Sequence, residues 1–176
     1  VPVPNSAPAA NASVQIPAAP APTGASSWLV MDYTNGQVLA SSNPDVRMEP
    51  ASITKVMTSY VVAAEIKAGK IKATDQVMIS ENAWRGGGGG TDGSTSFLPL
   101  NSSVSLDELE RGMVIQSGND AAIALAEHVA GSEQAFVELM NNYAKKIGMT
   151  NSHFANPHGL SDPNHYSTAR DLALMG

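Results

Sequence analysis

The 176 residues carry ten basic and sixteen acidic side chains, for a net charge of −6 and a pI near 5.0. Such a length makes one ordinary domain that buries roughly two-thirds of its unfolded surface, and an acidic chain without a cationic run has nothing to grip nucleic acid or an anionic membrane. The longest uncharged apolar run, Val56 to Ala64, is well short of the roughly 20 residues that span a bilayer, and the lack of cysteine excludes a disulfide scaffold, a thiol nucleophile and Cys-liganded zinc.

Residues 1–26 hold six of the eleven prolines and eight alanines with no charged side chain, the composition of an extended, flexible leader. From Ser27 two short apolar runs, Trp28 to Tyr33 and Gln37 to Ala40, flank Asn35-Gly36 and predict a hairpin over 28–40. A lone hairpin is marginal in water, so it is expected to join a larger sheet. Pro50 opens a helix in which Ile53, Met57, Tyr60, Val61 and Ala64 recur at helical spacing until Gly69, and its apolar composition predicts burial. Ile71 to Ser80 reads as a short connection or strand. The stretch Arg85 to Ser96, with five consecutive glycines, predicts a mobile flap anchored by Phe97-Leu98; without a Gly-Lys-Ser/Thr ending it is no phosphate loop.

Ser105-Leu106-Asp107-Glu108 matches a capping box and starts a helix through Leu109, Met113, Val114 and Ile115. It stops at Ser117-Gly118-Asn119. Asp120 is placed to cap a helix Ala121 to Ala130, and Ser132 another through Phe136, Leu139, Met140 and Tyr143, with Gly131 and Gly148 as stops. A final helix begins near Thr168. Met48, Met57, Met113, Met140, Met149 and Met175 are expected to fill the core. No internal repeat is visible, and the centre of the chain is helical.

Ser52-Ile53-Thr54-Lys55 puts a hydroxyl and an amine on one face at a helix start. An amine in apolar surroundings loses proton affinity, so it can accept the hydroxyl proton while the helix N-terminus favours negative charge. Such a pair arises readily by chance. The tripeptide Ser117-Gly118-Asn119, at a break between apolar helices, adds a second hydroxyl and an amide that a loop can project; its plainer meaning is a helix-to-helix turn.

Pro50-Ala51-Ser52-Ile53-Thr54-Lys55-Val56-Met57-Thr58 with Ser117-Gly118-Asn119-Asp120-Ala121 resembles the low-molecular-mass penicillin-binding proteins, the serine-type D-alanyl-D-alanine carboxypeptidases of the penicillin-binding protein 5 and 6 group. Similarity extends to His153-Phe154, Asn156-Pro157-His158-Gly159-Leu160 and Ser167-Thr168-Ala169-Arg170-Asp171, so that it covers about Trp28 to Gly176. The resemblance implies an α+β, transpeptidase-like fold shared by penicillin-binding proteins and beta-lactamases, a helical cluster packed on an antiparallel sheet, and a role for each matching position. Ser52 would attack the carbonyl of a terminal D-Ala-D-Ala bond and form an acyl-enzyme, with Lys55 taking its proton. Ser117 would relay a proton to the leaving D-alanine. Asn119, with Gly118, would hold the substrate, and the Ser52 N–H would be one oxyanion donor. It further implies peptidoglycan peptides ending in D-Ala-D-Ala and beta-lactam antibiotics as partners, a periplasmic address, inner-membrane attachment through a C-terminal segment not in this chain, and no cofactor.

The family's third motif, Lys-Thr-Gly, does not follow Asn119, so the expected architecture lacks its C-terminal strands and the chain reads as the leading part of the domain. His153, His158, His165 and Asp162 lack helical metal-ligand spacing and are not expected to hold a metal; a hydrogen-bonded His158 and exposed His153 and His165 are expected instead. Two other functions compete. A class A beta-lactamase needs a loop glutamate, and the nearest candidate, Glu138-Leu139-Met140-Asn141, falls within a helix. A non-catalytic domain would bind muropeptide or penicillin without turnover.

Overall fold

The computed structural model describes residues 24–88 and 93–176, so the leader through residue 23 and residues 89–92 of the expected flap lie outside the described residues. Strands β1 (Trp28–Met31) and β2 (Val38–Ser42) pair antiparallel with Val30 opposite Ala40. Between them the Asp32 carboxylate accepts the Thr34 N–H and the Asn35 side-chain amide, and Gly36 at φ 74° turns the chain. The predicted hairpin forms. Among the described residues it joins no larger sheet; instead β1 lies against helix α6 (Ala169–Met175).

A 3-10 turn, Ala51–Ile53, leads into α1 (Thr54–Lys67), and Gly69 in the left-handed region follows its end. Met57, Val61 and Val62 are fully buried, but Ile53, Val56 and Tyr60 are exposed. The expected burial is therefore corrected to burial of one face, because the remaining helices pack on one side of α1. Strand β3 (Gln76–Met78) pairs antiparallel with β4 (Ser103–Ser105), a second ribbon that sequence reading left open, because three-residue strands carry too little alternation to register.

Between these strands α2 (Glu81–Gly88) takes up Gly86 to Gly88, part of the stretch expected to be mobile. Glycine costs about 1 kcal/mol in a helix interior relative to alanine. Here contact overrides propensity, for a Cβ on Gly87 would run into the backbone of Asp120 on α4. The other end of the stretch, Ser94 to Ser96, is hydrogen-bonded to α4 as well. Phe97 is not the expected anchor: it is 84% exposed, and Leu98 alone packs on the core.

Helix α3 (Leu106–Gln116) begins with both halves of the Ser105/Glu108 capping box, a feature worth about 1 kcal/mol. Helix α5 (Glu133–Ile147) is capped by Ser132 and α6 by Thr168. Helix α4 (Asn119–Ala130) starts two residues before the predicted Ala121, with Gly118 at its N-cap and no side-chain cap. Asp120 thus does not cap it. Residues Ala121 to Ala126 are all buried, and the alanines at 121, 122, 124 and 126 let α2, α3 and α5 come close around a central helix. Met57, Leu109, Met113, Phe136, Met140 and Phe154 complete the core, whereas Met48 is 44% exposed and does not belong to it. The segment after α5 is tied down at Asn141, whose side chain pairs with both backbone groups of Phe154, and at Asp171, which accepts from Asn151 and Ser152.

Candidate active site

Ser52 sits in the 3-10 turn, exposed, one helical turn before Lys55. The first N–H groups of a helix have no intrahelical acceptor, and its N-terminal end carries partial positive charge. A developing oxyanion at Ser52 therefore meets a favourable field. Lys55 is only 6% exposed. Its Nζ donates to Asn119 Oδ1 at 2.8 Å and to the His158 carbonyl at 2.8 Å, and lies 3.5 Å from Ser52 Oγ. Desolvation lowers its pKa from 10.5 to about 8.

A neutral amine has two N–H bonds and one lone pair. In that state the two carbonyl oxygens can take both N–H bonds, which frees the lone pair for the Ser52 hydroxyl 3.5 Å away. That orientation suits proton abstraction rather than a structural ion pair.

Ser117 ends α3 in the left-handed conformation, φ 57°, ψ 33°. Its Oγ is buried and, among the described residues, has no hydrogen-bond partner. It lines a cavity of about 260 Å³ together with Ser52, Lys55, Val56, Ser59, Met113 and Val114. A buried hydroxyl without a partner costs free energy, so a position that keeps one invites a ligand group or a transient proton. Gly118 keeps the turn tight, because a Cβ there would collide with Ser96 Oγ. Asn119 is buried as the first residue of α4, and its carbonyl oxygen holds Lys55. The five residues singled out from sequence, Ser52, Lys55, Ser117, Gly118 and Asn119, thus meet at one place.

The histidines divide differently from expectation. His153 is exposed and its Nδ1 pairs with the Asn164 carbonyl. His158 Nδ1 accepts from the Leu160 N–H, as a loop-pinning role requires, and burial, reinforced by Lys55, lowers its pKa to about 4. His165, expected to be exposed, is 2% exposed. Its Nδ1 accepts the Ala155 N–H, which leaves Nε2–H to donate to Thr54 Oγ1 at 2.7 Å, and burial lowers its pKa. With Thr58 donating to the Pro157 carbonyl, this bond straps the 155–165 loop onto α1 and aims the His158 carbonyl at Lys55. The strap escaped sequence reading. Its signal was present in Thr54 and Thr58, two hydroxyls four apart on an apolar helix, which must find partners when buried.

Residues 13–176 match the family described as D-alanyl-D-alanine carboxypeptidase, peptidase S11. The chain belongs to that family. D-alanyl-D-alanine carboxypeptidase DacC of Escherichia coli (strain K12) is 51% identical over 171 residues, which cover 97% of this chain and 42% of the relative. The crystal structures of penicillin binding protein 5 from Haemophilus influenzae superpose with a TM-score of 0.85 at 49% identity, covering 90% of this chain and 45% of that one. Penicillin binding protein 6B from Escherichia coli gives a TM-score of 0.82 at 42% identity, over 91% of this chain and 51% of that one. The chain therefore spans under half the length of the curated carboxypeptidase relatives it matches. Within the S11 family the transpeptidase-like fold expected from the motifs is the observed one, and the helical cluster with Ser52 at its edge is the part this chain supplies.

Proposed function

We propose that this chain carries the acylating half of a serine D-alanyl-D-alanine carboxypeptidase acting on peptidoglycan peptides that end in D-Ala-D-Ala. The observation that carries the reading is the Lys55 amine, fixed by two carbonyl oxygens with its third position towards Ser52 Oγ. Ser52 Oγ attacks the carbonyl carbon of the terminal peptide bond as its proton passes to Lys55 Nζ. The resulting oxyanion sits at the helix N-terminus, where one well-placed donor is worth about 3 to 4 kcal/mol. As the tetrahedral species collapses, the C–N bond breaks and the D-alanine nitrogen leaves with a proton relayed through Ser117. Water then attacks the ester and returns the hydroxyl to Ser52.

Asn119 has a double task in this scheme, holding Lys55 through its carbonyl oxygen and offering its amide to the substrate. A beta-lactam would follow the same path as far as the acyl-enzyme. The relatives' names point to a bacterial cell-wall enzyme, which supports a periplasmic address, with inner-membrane attachment assigned to sequence outside this chain. The class A beta-lactamase alternative is disfavoured by Glu138, which lies within α5 and not on a loop.

The test is mass spectrometry of the full-length protein after exposure to benzylpenicillin, with D-alanine release from a pentapeptide measured alongside. A penicilloyl adduct on Ser52 and release of D-alanine are expected. An adduct on another residue would overturn the assignment of Ser52, and an adduct without D-alanine release would overturn the carboxypeptidase reading.

A further inference from the structure

Asp120 is 2% exposed and follows Asn119 directly; it lies inside the first turn of α4 and not at its N-cap, and its carboxylate takes only one N–H of its own helix. Oδ1 accepts the Ser96 N–H at 2.8 Å and the Ala121 N–H at 2.9 Å. Oδ2 accepts the Leu98 N–H at 3.0 Å and the Thr95 hydroxyl at 2.9 Å. Three of the four donors thus come from one short segment more than twenty residues away. The Asn119 N–H adds a fourth link between the two regions, donating to the Ser94 carbonyl at 2.8 Å.

Two features show how firmly the segment is held. Phe97, flanked by the two clamped amides, has φ 57° and is 84% exposed. A non-glycine residue stays in that region only where its surroundings over-determine it. Ser96 Oγ is buried directly against Gly118, where a Cβ would strike both that oxygen and Asp120 Oδ1. Segment 94–98 is therefore a wall behind the Ser117-Gly118-Asn119 turn, and one carboxylate fastens it.

We propose that Asp120 is a positioning residue: by locking segment 94–98 against the turn, it fixes where the Ser117 hydroxyl and the Asn119 carbonyl meet Lys55. This role rests on the reading of Ser52 as the nucleophile. Asp120 touches neither Ser52 nor Lys55 in its hydrogen bonds and acts through the turn alone. Both carboxylate oxygens must accept, since each faces a backbone N–H from the segment. An asparagine offers one accepting oxygen and one donating nitrogen, so Asp120→Asn sets a donor against either the Ser96 or the Leu98 amide.

The experiment measures acylation of the full-length protein by a fluorescent penicillin, separating the first-order acylation step from the initial binding constant. Asp120→Asn is expected to slow the acylation step about 10- to 100-fold, the scale of a misplaced catalytic group, with initial binding changed less than threefold. Thr95→Val removes one neutral bond to Oδ2 without altering charge, and is expected to slow the step about three- to tenfold. It should also move the midpoint of the acylation pH profile upward, as Lys55 regains water. The titratable group facing Lys55 is His158, with Glu133 and His165 beside His158 in turn; both histidines are held neutral by burial and do not titrate in that window.

A purely structural role for Asp120 would lower the fraction of folded, labelled protein and leave the rate per labelled site and the midpoint at parental values. That result in Asp120→Asn overturns the proposal. If Asp120→Asn yields no folded protein, parental rate and midpoint in Thr95→Val overturn it alone. No labelling of the parent at Ser52 would instead remove the nucleophile reading, and the positioning role with it.

Discussion

Burial of the Lys55 amine sets the pH dependence that the proposed acylation would show in the full-length protein. A pKa of about 8 leaves roughly one amine in ten neutral at pH 7 and one in a hundred at pH 6. If the neutral amine takes the Ser52 proton, the second-order rate of acylation by a labelled penicillin rises about tenfold per pH unit from 6 to 7.5 and levels off above about pH 8.5. His158, held at about 4, adds no second limb in that range. The same burial appears in stability. The unfolded chain binds a proton at this lysine up to about pH 10.5 and the folded chain only to about 8, so folding stability rises with pH between those values, by up to about 3 kcal/mol. Comparing alkaline unfolding of the parent with Lys55→Met isolates that contribution, because methionine keeps the stem and cannot titrate. Lys55→Arg, charged at every pH used, should not acylate at all. A parental acylation rate that stays flat from pH 6 to 9, or that turns only near pH 10.5, would refute the assignment of Lys55 as proton acceptor.

Ser52→Ala removes an exposed hydroxyl, so its unfolding free energy should match the parent within about 0.5 kcal/mol while the penicilloyl adduct disappears. Ser117→Ala deletes a buried oxygen that has no partner among the described residues; calorimetry should find it as stable as the parent or more so, even though D-alanine release falls. His165→Phe strands the Thr54 hydroxyl and the Ala155 N–H and should cost about 1 to 3 kcal/mol in urea unfolding, with slower acylation as the His158 carbonyl loses its strap. The His158 pKa, depressed to about 4, makes stability fall as pH drops from 6.5 towards 4, by up to about 3 kcal/mol; His158→Gln should remove that acid sensitivity. Amide hydrogen exchange should find the Ser96 and Leu98 N–H groups slow, against the mobile flap that their neighbouring glycines suggest.

Features that depend on neighbours three or four residues apart were legible in the sequence. The Ser105/Glu108 box, the Ser132 and Thr168 caps, the stops at Gly131 and Gly148 and the Ser52 to Lys55 spacing all follow from one helical turn of backbone, which propensity and periodicity describe directly. The carboxypeptidase motifs were legible in another way, as contiguous strings that resemble a known family. Tertiary structure alone decided what those residues touch. Asn119 and His158 reach Lys55 from 64 and 103 positions away, and His165 reaches Thr54 from 111. Asp120 carries the sign of a helix cap, yet its carboxylate turns to the amides of Ser96 and Leu98; Gly86 and Gly87 carry the sign of a loop, yet lie in a helix where α4 leaves no room for a Cβ. In each case a buried polar group or a close backbone approach took the partner that the packed core placed beside it, and that choice depends on distant segments whose positions no local pattern encodes.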